Sequence, residues 1–114
     1  MARGEFGTEV RKLVYERAGG RCERCGLASM AYQWHHRRPR AMGGSNAADT
    51  NTAANCLLLC VRCHQAVESQ RAVALDRGYL VPQGATPTNV PVYRCGGWVL
   101  LDNYGGTAPH REGP

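Results

Sequence analysis

Along the chain, apolar residues first recur at Val10, Leu13, Val14 and Ala18, a spacing that gathers them on one face of a helix. Thr8 is suited to cap its start and Gly19-Gly20 to stop it, so a helix is predicted over residues 8–18. From Tyr32 to Arg37 the period changes to two. Tyr32, Trp34 and His36 then share one face, and Gln33, His35 and Arg37 the other, which predicts a short strand. Pro39 ends it. Residues 40–54, rich in Gly, Ala, Ser, Asn and Thr, follow neither period and read as a long loop, uncommon unless it has a function. Asn55 to Leu59 is an apolar run fit for a buried strand, and from Cys60 a helix is predicted that turns Ala66, Val67, Ala74 and Leu75 inward before Gly78. In the last third YLVP, VPVYRC and GWVLLDN, parted by Gly, Pro and Thr, predict two or three short strands with a hairpin, and residues 105–114 a frayed tail.

The chain has 114 residues, which predicts one domain, 1–114, with a core at about 22–77 and a C-terminal β extension at about 78–104. So small a domain buries a modest core and benefits from a staple. Six cysteines could supply one. No stretch approaches the roughly 20 apolar residues of a membrane span, and the start, MARGEFGTEVRK, lacks the apolar region of a secretory signal. A soluble cytoplasmic protein is expected, where cysteine clusters bind metal more often than they form disulfides. The formal net charge is +5, and of the 14 basic residues only Lys12 is a lysine. Residues 1–63 hold ten basic and five acidic side chains, whereas residues 64–114 hold four of each. The excess, mostly arginine, favours bidentate contact with phosphate or carboxylate.

Cys22 and Cys25 form one C-x2-C pair, and Cys60 and Cys63, after 34 intervening residues, form another. Each two-residue gap lets both sulfurs of a turn face one ion, so the four thiolates suit a closed tetrahedral zinc site. Buried packing cysteines, or two disulfides in a secreted protein, are the alternatives. Cys56 and Cys95 are expected in the core. Three of the four histidines adjoin these cysteines: His35 and His36 on the predicted strand, and His64 after Cys63. Neighbours on a helix diverge by about 100°, so Cys63 and His64 should serve different centres, while His64 and Glu68 share a face. A second site follows. His35 and His36 point to opposite sides of a strand, so one can bind metal while the other does something else; hydrogen-bonded histidines at a strand end are the alternative.

WHHRRPRAMGGS and NCLLLCVRCH, with the first cysteine pair upstream, resemble the HNH endonuclease family in its zinc-containing form, as in small phage-encoded nucleases. The shared pattern is a His pair followed by Pro, a Gly-Gly loop, an Asn five residues before a Cys, and C-x2-C-H. It covers Cys22 to Glu68.

The resemblance implies an α+β fold, a zinc-stapled ββα-metal (His-Me finger) domain, here with an N-terminal helix and a C-terminal β-hairpin. It implies a DNA endonuclease with a single catalytic divalent metal (Mg, Mn, Ni or Zn) besides the structural zinc, leaving 5′-phosphate and 3′-hydroxyl ends. By position His36 would be the general base and His35 a metal ligand. Asn55 would orient the base or its loop, or reach the metal, and His64 would be the helix ligand. Many relatives carry His four residues further on, where this chain has Glu68, a ligand that favours harder ions. Arg37, Arg38 and Arg40 follow the base closely and are expected to hold the flanking phosphates, a solvated basic face being the alternative for any one of them. Six arginines against one acid between Arg17 and Arg40 point to a polyanionic partner. From another class comes a zinc-stabilised nucleic-acid-binding module without activity. The likeness to small phage enzymes also suggests a place beside the large terminase in DNA packaging, in the host cytoplasm.

Overall fold

A computed structural model describes residues 5–39 and 48–113. The elements are α1 (Thr8–Ala18), β1 (Tyr32–His36), β2 (Cys56–Cys60), α2 (Val61–Ser69), α3 (Arg71–Arg77), β3 (Val92–Arg94), β4 (Gly97–Leu101) and β5 (Thr107–His110), with 3-10 turns at Ala53–Asn55 and Pro87–Asn89. The fold is small and α+β, as expected. β1 and β2 pair antiparallel with Tyr32 opposite Cys60 and His36 opposite Cys56. β3, β4 and β5 form a separate antiparallel sheet in that order. None of the described helices is long and apolar enough to cross a membrane.

β2 is the spine. All five of its residues are buried, which explains an unbroken CLLLC run in place of alternation: both faces of the strand are covered. Leu57 and Leu59 join Cys22, Cys63, Val67, Tyr79, Leu80 and Leu101 on one side. Cys56 and Leu58 meet Phe6, Val14 and Ala53 on the other, so α1 closes that face. β2 starts at Cys56 because Asn55 is still in the 3-10 turn, its amide bonded to the Thr52 carbonyl at 3.1 Å.

Several expectations need correcting. Gly7, not Thr8, stands at the cap of α1, and Thr8 is the first helical residue. The helix predicted from Cys60 to Gly78 breaks at Gln70, whose backbone (φ −124°, ψ 61°) is non-helical. The break resets the phase, so Ala74 is buried while Leu75 is 41 % exposed. YLVP forms no strand. Cys95 is exposed, sitting at φ 53° in the turn between β3 and β4. The tail expected to fray forms β5, which pairs along β4 from Leu101–Thr107 to Trp98–His110. Its side chains are all exposed, so backbone pairing, invisible to a burial pattern, holds it.

Gly78 ends α3 at φ 78°, and a Cβ there would lie 1.9 Å from the Pro91 carbonyl oxygen, so only glycine lets the chain after α3 cross so close to the strand region. A buried charge cluster ties the ends of the chain together. The Glu23 carboxylate accepts from Arg17 at 2.7 and 2.9 Å, from Arg94 at 2.9 Å and from the Leu58 amide at 3.0 Å. It links α1, the first cysteine turn, β2 and β3.

Candidate metal centre and active site

The two C-x2-C turns face one another. Sγ atoms of Cys22, Cys25, Cys60 and Cys63 all lie within 4.8 Å of each other, and Cys25 and Cys60 are 4.0 Å apart. That separation is too long for a disulfide and close to the roughly 3.8 Å edge of a tetrahedron with metal–sulfur bonds of about 2.3 Å. The amides of Arg24 and Cys25 donate to Cys22 Sγ at 3.4 and 3.5 Å, and the Cys63 amide donates to Cys60 Sγ at 3.4 Å. Burial pushes the Cys22 thiol up, but these backbone donors outweigh it and bring the group down to about 7. Arg24 reaches across to Cys63 Sγ at 3.2 Å and lies over the Tyr79 ring. Sulfur donors with N–H groups trained on them can hold zinc.

Beside this cluster, β1 and α2 bring His35, His64 and Glu68 together, each with a ligand atom within 4.8 Å of the others. His35 is 3 % exposed. Its Nε2 donates to the Tyr79 carbonyl at 2.8 Å, so Nδ1 carries the lone pair. Burial holds its pKa down to about 4, aided by the positive charge of neighbours that include Arg37, so the ring is neutral at pH 7. His64 bonds the Gln33 side-chain oxygen through Nδ1, leaving the lone pair on Nε2, 3.8 Å from Glu68 Oε1. Two imidazoles, each turned by a bond at its far nitrogen, with a carboxylate one helical turn on, suit a divalent cation. Glu68 is about half exposed and also contacts Arg71 at 3.2 Å.

His36, next along β1, leaves this group. Its ring stacks on Phe6 with centroids 4.0 Å apart, and Nε2 donates to Asn51 Oδ1 at 2.8 Å. The lone pair therefore lies on Nδ1. Asn51 was not singled out in the sequence; it lies inside a stretch without periodicity, and nothing local marks it. Asn55 is fully buried. Its Oδ1 accepts from the Arg38 amide at 2.7 Å, and Nδ2 donates to the carbonyls of Arg38 at 3.2 Å and Thr50 at 2.8 Å. One side chain thus closes both ends of the segment after the His pair. The Asn55 amide is spent on those bonds rather than on the metal group, which favours the loop-orienting alternative over the metal-reaching one. An ion pair between Arg38 and Asp49 closes the same gap.

This geometry changes the reading of the arginines. Arg37 is fully buried, and its guanidinium donates to the carbonyls of Gly78, Ala54, Pro87 and Val90 at 2.7 to 3.1 Å. Four of its five N–H donors are spent on these carbonyls and the side chain has no exposed surface to offer a phosphate, so the DNA-contacting role expected of it is corrected to a structural one. Arg38 is 8 % exposed and bonded to Asp49 and to the Ala85 carbonyl, which turns it inward in the same way. Arg17 is likewise consumed by Glu23 and by the carbonyls of Ala53 and Cys56. Arg40 and the Gly-Gly pair lie outside the described residues.

A comparison with family models finds a match to HNH endonuclease over residues 22–70. This segment is an HNH domain. It runs from the first cysteine turn to the end of α2 and so contains both C-x2-C pairs, β1, β2, His35, His36, Asn55, His64 and Glu68. HNH domains are in general nucleases acting on DNA and using divalent metals. Helix α1 and the β3–β5 sheet lie outside the match. Among curated proteins and among solved structures, no significant match is found.

Proposed function

We propose that this chain is a metal-dependent DNA endonuclease that hydrolyses phosphodiester bonds with a single catalytic ion. The observation that carries the reading is the grouping of His35, His64 and Glu68 within 4.8 Å beside a histidine, His36, that points elsewhere. In this reading His35 Nδ1, His64 Nε2 and the Glu68 carboxylate hold the catalytic ion, and the four cysteines hold a structural zinc. When bound, the divalent ion supplies Lewis-acid stabilisation to the phosphate and to the leaving 3′ oxygen.

His36 does the proton work. Asn51 keeps the hydrogen on Nε2 and so directs Nδ1 to take a proton from the attacking water. Phe6 fixes the plane of the ring. Asn55 and the Arg38–Asp49 pair hold the backbone that follows, so the base cannot drift with its loop. In-line attack on phosphorus then releases 5′-phosphate and 3′-hydroxyl ends, with weak sequence preference.

The experiment is product analysis on an end-labelled duplex with added Mg, Mn, Ni or Zn. Ends that accept ligation directly support the reading, whereas 3′-phosphate ends contradict it. Tight DNA binding without cleavage under any ion would favour an inactive zinc-stabilised binding module.

A further inference from the structure

With Arg37 and Arg38 turned inward, the described guanidinium that borders His36 from outside the HNH segment belongs to Arg11, on α1. Two adjoining cavities, of about 420 and 460 Å³, run along the seam between α1 and β1 and share Arg11 and Trp34 in their walls. The first is also bounded by Phe6, Tyr32, Gln33 and His36, so it opens on the proposed base. The second continues past Lys12 and the half-exposed Tyr15. Arg11 Nε is buried without a hydrogen-bond partner, and its Nη2 has only a long 3.4 Å contact to Thr8 Oγ1. A buried cationic donor left unsatisfied costs free energy unless something accepts from it.

We propose that this cleft seats one unpaired nucleotide of the strand being cut, with its phosphodiester on Arg11 and its base against Trp34. The proposal rests on the nuclease reading above for the identity of the strand, though not for the binding itself. Each cavity carries one carboxylate, Glu5 in the first and Glu16 in the second. These would repel a run of phosphates, so a track for duplex backbone fits poorly. They can accept from the amino edge of a base, while Trp34 and Tyr15 offer stacking surface that any base can use. A cation flanked by aromatic rings is the composition of a single-strand site. Its position next to His36 puts the held phosphate beside the one under attack.

The test uses the 114-residue chain with Trp98→Phe, so that Trp34 is its one remaining tryptophan. A single-stranded oligodeoxynucleotide of about 12 residues, and the matching blunt duplex, are titrated without added divalent ion at several salt concentrations. The single strand should quench Trp34 and bind more tightly than the duplex. By anisotropy of a labelled strand, Trp34→Leu should weaken binding about ten-fold with an unchanged salt slope. Arg11→Ala should weaken it and lower that slope by about 0.7, and Arg11→Lys should restore the slope. Circular dichroism and melting verify that each variant is folded; should Arg11→Ala melt, Arg11→Lys against Arg11→Gln decides. Unchanged fluorescence, wild-type affinity in folded Trp34→Leu and Arg11 variants, or preference for duplex would overturn the proposal. Because no cleavage is read, a protein that cuts but fails these titrations loses the cleft alone, and one that binds here but never cuts loses the nuclease reading.

Discussion

The Arg37 guanidinium, buried among four carbonyls, is a cation whose pKa burial lowers to about 9 and which keeps its charge at neutral pH. Removing it would strand the carbonyls of Ala54, Gly78, Pro87 and Val90 in the interior. Arg37→Ala should therefore cost more than about 3 kcal/mol in urea unfolding, against less than about 0.5 for the exposed Arg62→Ala. His35 yields a pH dependence. Its ordinary pKa near 6.5 falls to about 4 in the fold, so between those values the unfolded chain binds the extra proton and stability rises with pH. The stabilisation is complete above pH 6.5 and is lost as pH falls toward 4. Without a second ion, about 2 kcal/mol should disappear between pH 7 and pH 5 in wild type, and less in His35→Gln, by urea unfolding at both values. At this scale the donor types were legible and their surroundings were not. The sequence marks Arg37 as a basic residue beside a His pair, but the carbonyls that consume it come from residues 54 to 90, brought in by tertiary folding alone.

Among the elements, α1 follows its hydrophobic period, with Val14 buried against β2, whereas β1 buries His35 on the face opposite its half-buried apolar residues Tyr32 and Trp34, because both of its faces are partly covered. β2 was legible as an apolar run, displaced by one residue because a capping turn takes Asn55. The break at Gln70 left no local mark, since the stretch holds neither Gly nor Pro and Ala66, Val67, Ala74 and Leu75 suit one continuous helix. Residues 40–47 of the predicted loop lie outside the described residues, and its end, Ala53–Ala54, enters a 3-10 turn; the clasp across the segment was not legible, since only the fold pairs Asn55, Asn51 and Asp49 with Arg38 and His36. Asn55→Ala would remove the buried bonds to the Arg38 amide, the Arg38 carbonyl and the Thr50 carbonyl. It should cost about 3 kcal/mol in urea unfolding and depress cleavage by mispositioning His36.

Across the whole molecule, the four cysteines tie the turn after α1 to the β2–α2 junction, and α2 carries His64 one residue beyond Cys63. The structural metal would therefore set the ridge on which the catalytic ion is held. This pairing of centres was legible because ligand spacing is a local property; the sheet that closes the chain behind it, with Arg94 on Glu23, was not. Structural zinc contributes roughly 10–16 kcal/mol to folding, as much as or more than the net stability of most domains. Cys60→Ser should accordingly be unfolded by circular dichroism, while His35→Gln stays folded at pH 7. The central claim, a metal-dependent nuclease with His36 as base, is tested most directly by incubating supercoiled plasmid with wild type and His36→Ala, with EDTA and with Mg, Mn, Ni and Zn. Nicking that requires an added ion and vanishes in a folded, DNA-binding His36→Ala is the predicted result; nicking retained by that variant, or none by wild type under any ion, would contradict the claim.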